Sequence, residues 1–511
     1  MAMYHSTRSA QDTLTSKEAI HKGIAPDGGL YVSDALGSTT IDLESLPAKS
    51  YMELAREVLG ALLPDYSAEE IAACVSEAYE GTFASDEVTP VVSLDVAPGA
   101  GDGAADAVPE LEHVGGHGPT SAFKDVALQM LPRLMARTDS ASGADTADAE
   151  KIMIVTATSG DTGKAALAGF ADAAGVGITV FYPEGKVSRV QELQMSTQEG
   201  SNVAVCAVRG NFDDAQSAVK RIFADTELAA RLANEGVMLS SANSINVGRL
   251  VPQVVYYFAA YAQLLRAGKI QAGDAVEFCV PTGNFGDILA GYYAKRMGLP
   301  VAKLIVASDA NNVLYDFLTT GTYDRQRPFF TTTSPSMDIL ISSNLERMLY
   351  YLSNGDCELV ANLMAQLAED GAYTLPAELL AKIQELFGCG WASEEDVATA
   401  IKSCWDENGY LIDPHTACGY HALGAIPATP GVTARVLLST ASPYKFPRAV
   451  ASSLGLFCPP SDFACMDVLS KATNTTAPAQ LATLQDKPVL HSDVVDIADM
   501  GAYVESAANA L

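Results

Sequence analysis

In the middle of this chain, apolar residues come in short unbroken runs, without regular polar alternation. Ile152-Met153-Ile154-Val155, Ile178-Thr179-Val180-Phe181-Tyr182 and Val203-Ala204-Val205-Cys206-Ala207-Val208 are three such runs. Val276-Glu277-Phe278-Cys279-Val280, Leu304-Ile305-Val306-Ala307 and Val436-Leu437-Leu438 continue the theme. Runs of this length predict strands buried on both faces. Helical stretches separate them, at 164–174, at 187–197, and from Asn211 as an N-cap towards residue 234. Strand and helix in turn predict open, mostly parallel sheets with helices on both faces.

The flanks read differently. Residues 1–96 are expected to form an N-terminal domain that opens with a turn and is otherwise mainly helical. Ala25-Pro26-Asp27-Gly28-Gly29 is a turn leading into a short strand, Leu30-Tyr31-Val32. Ser67, with Glu70 three residues on, is a capping box opening a helix through Ile71, Cys74 and Val75. The low-complexity stretches 98–109 and 138–150 read as solvated loops. A helix is expected over 125–137, and 328–431 reads as largely helical, with Ser393 as an N-cap. No short internal repeat is present.

Composition narrows the class. The chain has 511 residues, 48% hydrophobic and 18% charged, ample for several cores and too apolar for disorder. A formal net charge of -30 argues against nucleic acid and anionic membranes as partners. Nine cysteines without C-x-x-C spacing imply reduced thiols and no metal site. With no apolar leader or spanning run, a cytoplasmic protein is expected, and no obligate protein partner is evident.

Three segments carry the chemistry. His117-Gly118-Pro119-Thr120-Ser121-Ala122-Phe123-Lys124-Asp125 sets Lys124 after a turn and at a helix start. Thr158-Ser159-Gly160-Asp161-Thr162-Gly163 and Gly283-Asn284-Phe285-Gly286-Asp287 each follow a strand and precede a helix. Such turns point free amides and the positive end of a helix dipole at an anion. A P-loop is excluded, because Thr158 stands at its leading glycine and Ala165 at its Ser or Thr. Asp287 is expected to turn away and cap its helix, leaving the amides to the anion. Two anion cradles and an isolated lysine indicate pyridoxal phosphate chemistry on a phosphate- or carboxylate-bearing substrate. Lys186 with Ser188, and Asn246 with Arg249, are candidate holders of a substrate phosphate at helix starts; Arg189 is set aside. His415 and His421 read as structural.

With these segments the chain resembles the threonine synthase family, of the tryptophan-synthase-beta fold group (fold type II pyridoxal-phosphate enzymes). Further matching segments are Tyr4-His5-Ser6-Thr7-Arg8, Asn243-Ser244-Ile245-Asn246, Ser334-Pro335-Ser336-Met337-Asp338-Ile339 and Ser439-Thr440-Ala441-Ser442-Pro443-Tyr444-Lys445-Phe446-Pro447. The resemblance implies two α/β lobes within 97–511, with the cofactor pyridoxal 5′-phosphate between them. It implies a Schiff base on Lys124, a phosphate cradle of Gly283, Asn284, Phe285, Gly286 and Asp287, and Thr440 on the pyridine nitrogen. Ser159, Gly160, Asp161 and Thr162 would hold the substrate carboxylate. Lys164, Asp287 and Ser442 depart from the family pattern. The implied reaction turns O-phospho-L-homoserine and water into L-threonine and phosphate. Two rivals stay open: a related lyase releasing 2-oxobutanoate, and a non-catalytic binder of cofactor or amino acid.

Overall fold

The structure is a computed structural model that describes residues 3–94, 109–113, 117–138, 151–158 and 160–511. The two expected loops fall outside the described residues, apart from Pro109 and Thr138 at their edges, as does Ser159. Pro109 begins a strand, and Thr138 is buried with its hydroxyl on the Met135 carbonyl.

Two sheets dominate. The first has five parallel strands in the order Asp493–Asp496, Val203–Arg209, Val176–Pro183, Lys151–Ala157, Val237–Ser240. The second has six, in the order Phe387–Trp391, Val301–Ser308, Ala275–Pro281, Val432–Ser439, Pro109–His113, Val91–Ser93. Only its last pairing is antiparallel. The unbroken apolar runs are the inner strands, covered on both faces as their lack of alternation requires. Each lobe is interrupted: the chain visits the second sheet, then the first, returns to the second and ends in the first.

The N-terminal part is less purely helical than its sequence implies. Tyr4–Ser6 pairs antiparallel with both Ser9–Leu14 and Tyr31–Ser33, a small sheet set before the helices Tyr51–Leu62 and Ala68–Tyr79. Ser67 caps the second of these in the expected box with Glu70. The strand Val91–Ser93 leaves this region to edge the second large sheet.

The helix Val247–Arg266 is apolar on nearly every side and is buried accordingly. It packs against Tyr51–Leu62, Lys124–Met135 and Gly286–Arg296, so the helices beginning at two of the three motifs rest on one rigid rod. Lys124–Met135 also packs against Asp161–Phe170, the helix of the third motif. No helix among the described residues is long and apolar enough to cross a membrane.

Candidate active site

The carboxyl ends of the inner strands face a cleft of about 1080 Å³. Lys124, Thr158, Thr162, Arg249, the turn 283–287, Ser336, His415 and Thr440 line it. In open parallel sheets this edge is where ligands bind, because the helix N-termini converge there. Lys124 is only 8% exposed and opens its helix. Ahead of it, Ser121 takes a left-handed φ of 59°, and the buried Asp125 carboxylate accepts from the Thr120 amide at 2.9 Å. That turn aims Lys124 into the cleft, where Nζ donates to Ser336 Oγ at 2.9 Å. Burial, helped by the positive charges of Lys445 and Arg249, overcomes Asp161 and Asp125 and brings the ammonium down to about 8.

The Asp161 side chain organises the opposite wall. Its Oδ1 is paired at 2.7 Å with Lys445 Nζ, both groups being buried, and accepts from Gln191 Nε2 at 3.0 Å. Ser336 Oγ donates to Asp161 Oδ2 at 3.2 Å. Burial would raise this carboxyl, but the charges of Lys445 and Lys124, with the hydrogen bond from Lys445, hold it well below the usual carboxylate range. Lys445 also donates to the Thr120 carbonyl at 3.1 Å, tying the Asp161 wall to the Lys124 turn. Behind Ser336 stands His415, whose Nε2 accepts from the Ser336 amide at 3.1 Å. The imidazole proton is therefore on Nδ1, which donates to the buried Asp413 at 2.7 Å. The nest itself is partly spent: Thr158 Oγ1 accepts from the Gly160 and Gly163 amides, each at 2.9 Å. Among the described residues its remaining amide donors are those of Asp161 and Thr162, with Thr162 on the cleft.

The turn 283–287 closes the third side. Phe285 is buried in the left-handed region (φ 59°) at the N-cap of Gly286–Arg296. Its side chain makes no cap bond, so the end of the helix dipole stays open to the cleft. Asp287 does not cap the helix: its Oδ1 accepts from the hydroxyls of Tyr256 and Tyr257, while the residue still lines the cleft. Arg249 is buried in the same cleft, with Nη1 on the Ala242 carbonyl at 2.9 Å and no partner for Nε. Burial brings its guanidinium down to about 10. A buried cation without a carboxylate partner is primed for an anion.

The comparisons agree with this geometry. The "Threonine synthase N terminus" family model matches residues 3–79, "Pyridoxal-phosphate dependent enzyme" matches 115–439, and "Threonine synthase, C-terminal" matches 416–504. The threonine synthase of Schizosaccharomyces pombe is 37% identical over 89% of this chain and 90% of its own. The chain belongs to the threonine synthase family. The crystal structure of threonine synthase from Brucella melitensis, described as bound to pyridoxal phosphate, superposes with a TM-score of 0.84. It is 37% identical and covers 99% of this chain and 100% of its own. Threonine synthase-like 1 of Macaca fascicularis is 40% identical over 78% of this chain. The match covers 53% of that longer protein, so the chain spans about half its length.

As a threonine synthase family member, the chain brings most of its sequence-marked residues to one cleft; Gly160 and Asp161 do not line it, though Asp161 reaches Ser336 on its wall, and Asn246, Lys186 and Ser188 lie apart. Asn246 is fully buried, with Nδ2 on the Ile20 carbonyl and Oδ1 capping its helix at the Gly248 amide, both at 2.9 Å. Both ends of that amide are spent on structure. Lys186 and Ser188 line an adjacent cavity of about 930 Å³, where Lys186 is exposed and Ser188 caps Arg189–Ser196. Ser159 lies outside the described residues. His421 is half-buried, 3.9 Å from Asp396, whereas His415 reaches the cleft beside Ser336. Reading the sequence did not single out Ser336, Gln191, Asp413 or Lys445. Two of them sit inside segments that carry the family resemblance, but a serine or lysine has no local signal separating contact from solvent.

The residues fit a phosphorylated, lysine-held cofactor. A Cβ on Gly283 would stand 2.9 Å from the Ser336 carbonyl, so the turn passes the opposite wall with no room to spare. Arg249 Nε and Asp287 Oδ2 are buried polar atoms with no protein partner at the edge of that space. Both features call for a polar ligand.

Proposed function

We propose that this chain converts O-phospho-L-homoserine and water to L-threonine and inorganic phosphate, with pyridoxal 5′-phosphate as cofactor. The observation that carries this reading is Lys124: a buried, weakly basic amine at the meeting point of two strand-to-helix anion cradles. In this reading the backbone of Gly283, Asn284, Phe285, Gly286 and Asp287 holds the cofactor phosphate. Thr440, whose carbonyl accepts from the Phe123 amide at 2.8 Å, turns its hydroxyl to the pyridine nitrogen. The amides of Asp161 and Thr162, with Ser159, hold the substrate carboxylate, while Gly160 shapes the nest with its amide on Thr158 Oγ1, and Arg249 takes the substrate phosphate.

Pyridoxal phosphate, when bound, supplies the electron store that lets protons leave Cα and Cβ while phosphate leaves Cγ. The chain supplies proton traffic and position. Lys124 Nζ, weakly basic at physiological pH, takes and returns the proton at Cα. Ser336 and the Asp161–Lys445 pair fix where that nitrogen rests, and His415 holds the Ser336 amide.

The test follows threonine and phosphate together in the cofactor-loaded protein supplied with O-phospho-L-homoserine. Equal amounts of both are expected, with Lys124→Ala losing at least about a thousandfold in rate. Phosphate with 2-oxobutanoate and no threonine would instead make the chain an eliminating lyase. No turnover with cofactor retained would sink the substrate assignment.

A further inference from the structure

Asp287 is a carboxyl group in an unusual setting. It is 6% exposed, the last residue of the turn 283–287 and the second of the helix Gly286–Arg296. Tyr256 and Tyr257, both on Val247–Arg266, donate to a single oxygen, Oδ1, at 2.5 and 3.1 Å. The other oxygen, Oδ2, is buried and has no partner among the described residues. Among the described residues no lysine, arginine or histidine pairs with it. On the helix that carries the tyrosines, Arg249 turns its Nη1 to the Ala242 carbonyl. On Asp287's own helix, the basic residues Lys295 and Arg296 sit in the last turn. Burial, only partly offset by the two phenols, pushes this carboxyl up to about 7.

An anion arriving at the same helix end changes the balance in one direction. A carboxylate and a phosphate there would compete for one helix dipole and repel each other without a cation between them. Chemistry at Oδ2 points the same way. An ionised Oδ2 offers only lone pairs and would meet a phosphate oxygen that also offers lone pairs. A protonated Oδ2 offers the O–H donor that the phosphate accepts.

We propose that Asp287 takes up a proton when a phosphate group enters the turn 283–287, and then serves that phosphate as a neutral hydrogen-bond donor. This rests on the reading of that turn as a phosphate cradle. One proton moves from solvent to Oδ2, and no other bond changes. Retention of a phosphorylated ligand therefore weakens as pH rises through the alkaline range, by up to tenfold per pH unit for this one proton.

The experiment is calorimetric binding of pyridoxine 5′-phosphate, which has no aldehyde to react with Lys124, to the cofactor-free full chain. Titrations at about pH 8 in two buffers of different ionisation enthalpy count the protons taken up. The same titrations on Asp287→Asn, an isostere of the neutral acid, cancel any contribution from Lys124 or the ligand phosphate. The wild type is expected to take up close to one proton more than the variant, and its affinity to fall more steeply above that pH. Equal uptake and equal slopes would overturn the proposal while leaving the cradle standing. A variant that binds far more weakly at every pH would overturn it too, by showing that the negative charge was needed. No binding to the folded wild type would overturn the cradle reading and the proposal with it. Infrared difference spectra of the wild type alone give a second test. Phosphate binding should add a carboxylic-acid carbonyl stretch, and unchanged carboxylate bands would refute the inference.

Discussion

Lys124 owes its low basicity first to burial and then to Lys445 and Arg249, and this has a measurable form. With the ammonium brought down to about 8, roughly one amine in ten is free at pH 7. Labelling of Lys124 by an amine-selective reagent, followed by mass spectrometry, should rise about tenfold per unit below pH 8 and then level off. The stability sign follows from the same shift. The cost of burying the charged amine is present in full below about 8, and fades as pH rises towards the ordinary 10.5. Lys445→Met tests the neighbour. It leaves Asp161 buried without its main cation, which should cost about 3–5 kcal/mol in denaturant unfolding. It should also move the Lys124 midpoint upward, because a positive neighbour has been removed. A midpoint that stays put would show that Lys445 has no electrostatic hold on the amine.

At the scale of elements, the turns are more exacting than the helices they open. Gly283→Ala would put a methyl 2.9 Å from the Ser336 carbonyl, a backbone atom that cannot swing aside. The 334–338 loop must then shift, and affinity for cofactor should drop by about tenfold or more, read by equilibrium dialysis. Gly424→Ala is the control: nothing lies within 4 Å of its Cβ, in the helix Pro414–Ala425. It should raise stability by about 0.5–1 kcal/mol with cofactor affinity unchanged. This contrast also explains what the sequence made legible. The long inner strands were read from their apolar runs, and the helices at Ser67, Asn211 and Ser393 from side-chain caps, because both signals are local. Short strands escaped. Tyr4–Ser6, Ser9–Leu14, Val91–Ser93 and Asp493–Asp496 have too few residues or too little apolar content to mark themselves, and exist through their partners. The site divided in the same way. Lys124 and the turns 158–163 and 283–287 announce themselves through their glycines, the two turns also through the strands before them. Lys445 and Ser336 matter only because the fold brings positions 161, 336 and 445 together. Asn246 and Ser188, marked as polar residues at helix starts, serve as caps, and Lys186 and Ser188 line the adjacent cavity.

At the scale of the whole molecule, the site's cations are interior and the formal charge is -30. On the proposed function, a doubly charged phosphate substrate would cross that negative field before meeting Arg249. Raising ionic strength from about 10 to about 150 mM should therefore increase kcat/KM while leaving kcat nearly constant. A fall in kcat/KM would mean that local cations, not the net charge, govern approach. The interleaving of the two lobes acts on the chain's own history. The first sheet lacks its edge strand until residues 493–496 join Val203–Arg209, and its core lacks Met500 and Val504 until the last helix packs. Those residues are translated after every strand of the second sheet. A ribosome making this chain thus exposes a half-finished lobe through some 250 further codons, counting from the strand at 237–240 to that at 493. The lobe begun second is thus the one completed last, and a translation product that stops before residue 493 lacks both the edge strand Asp493–Asp496 and the helix Met500–Ala508 that closes its core.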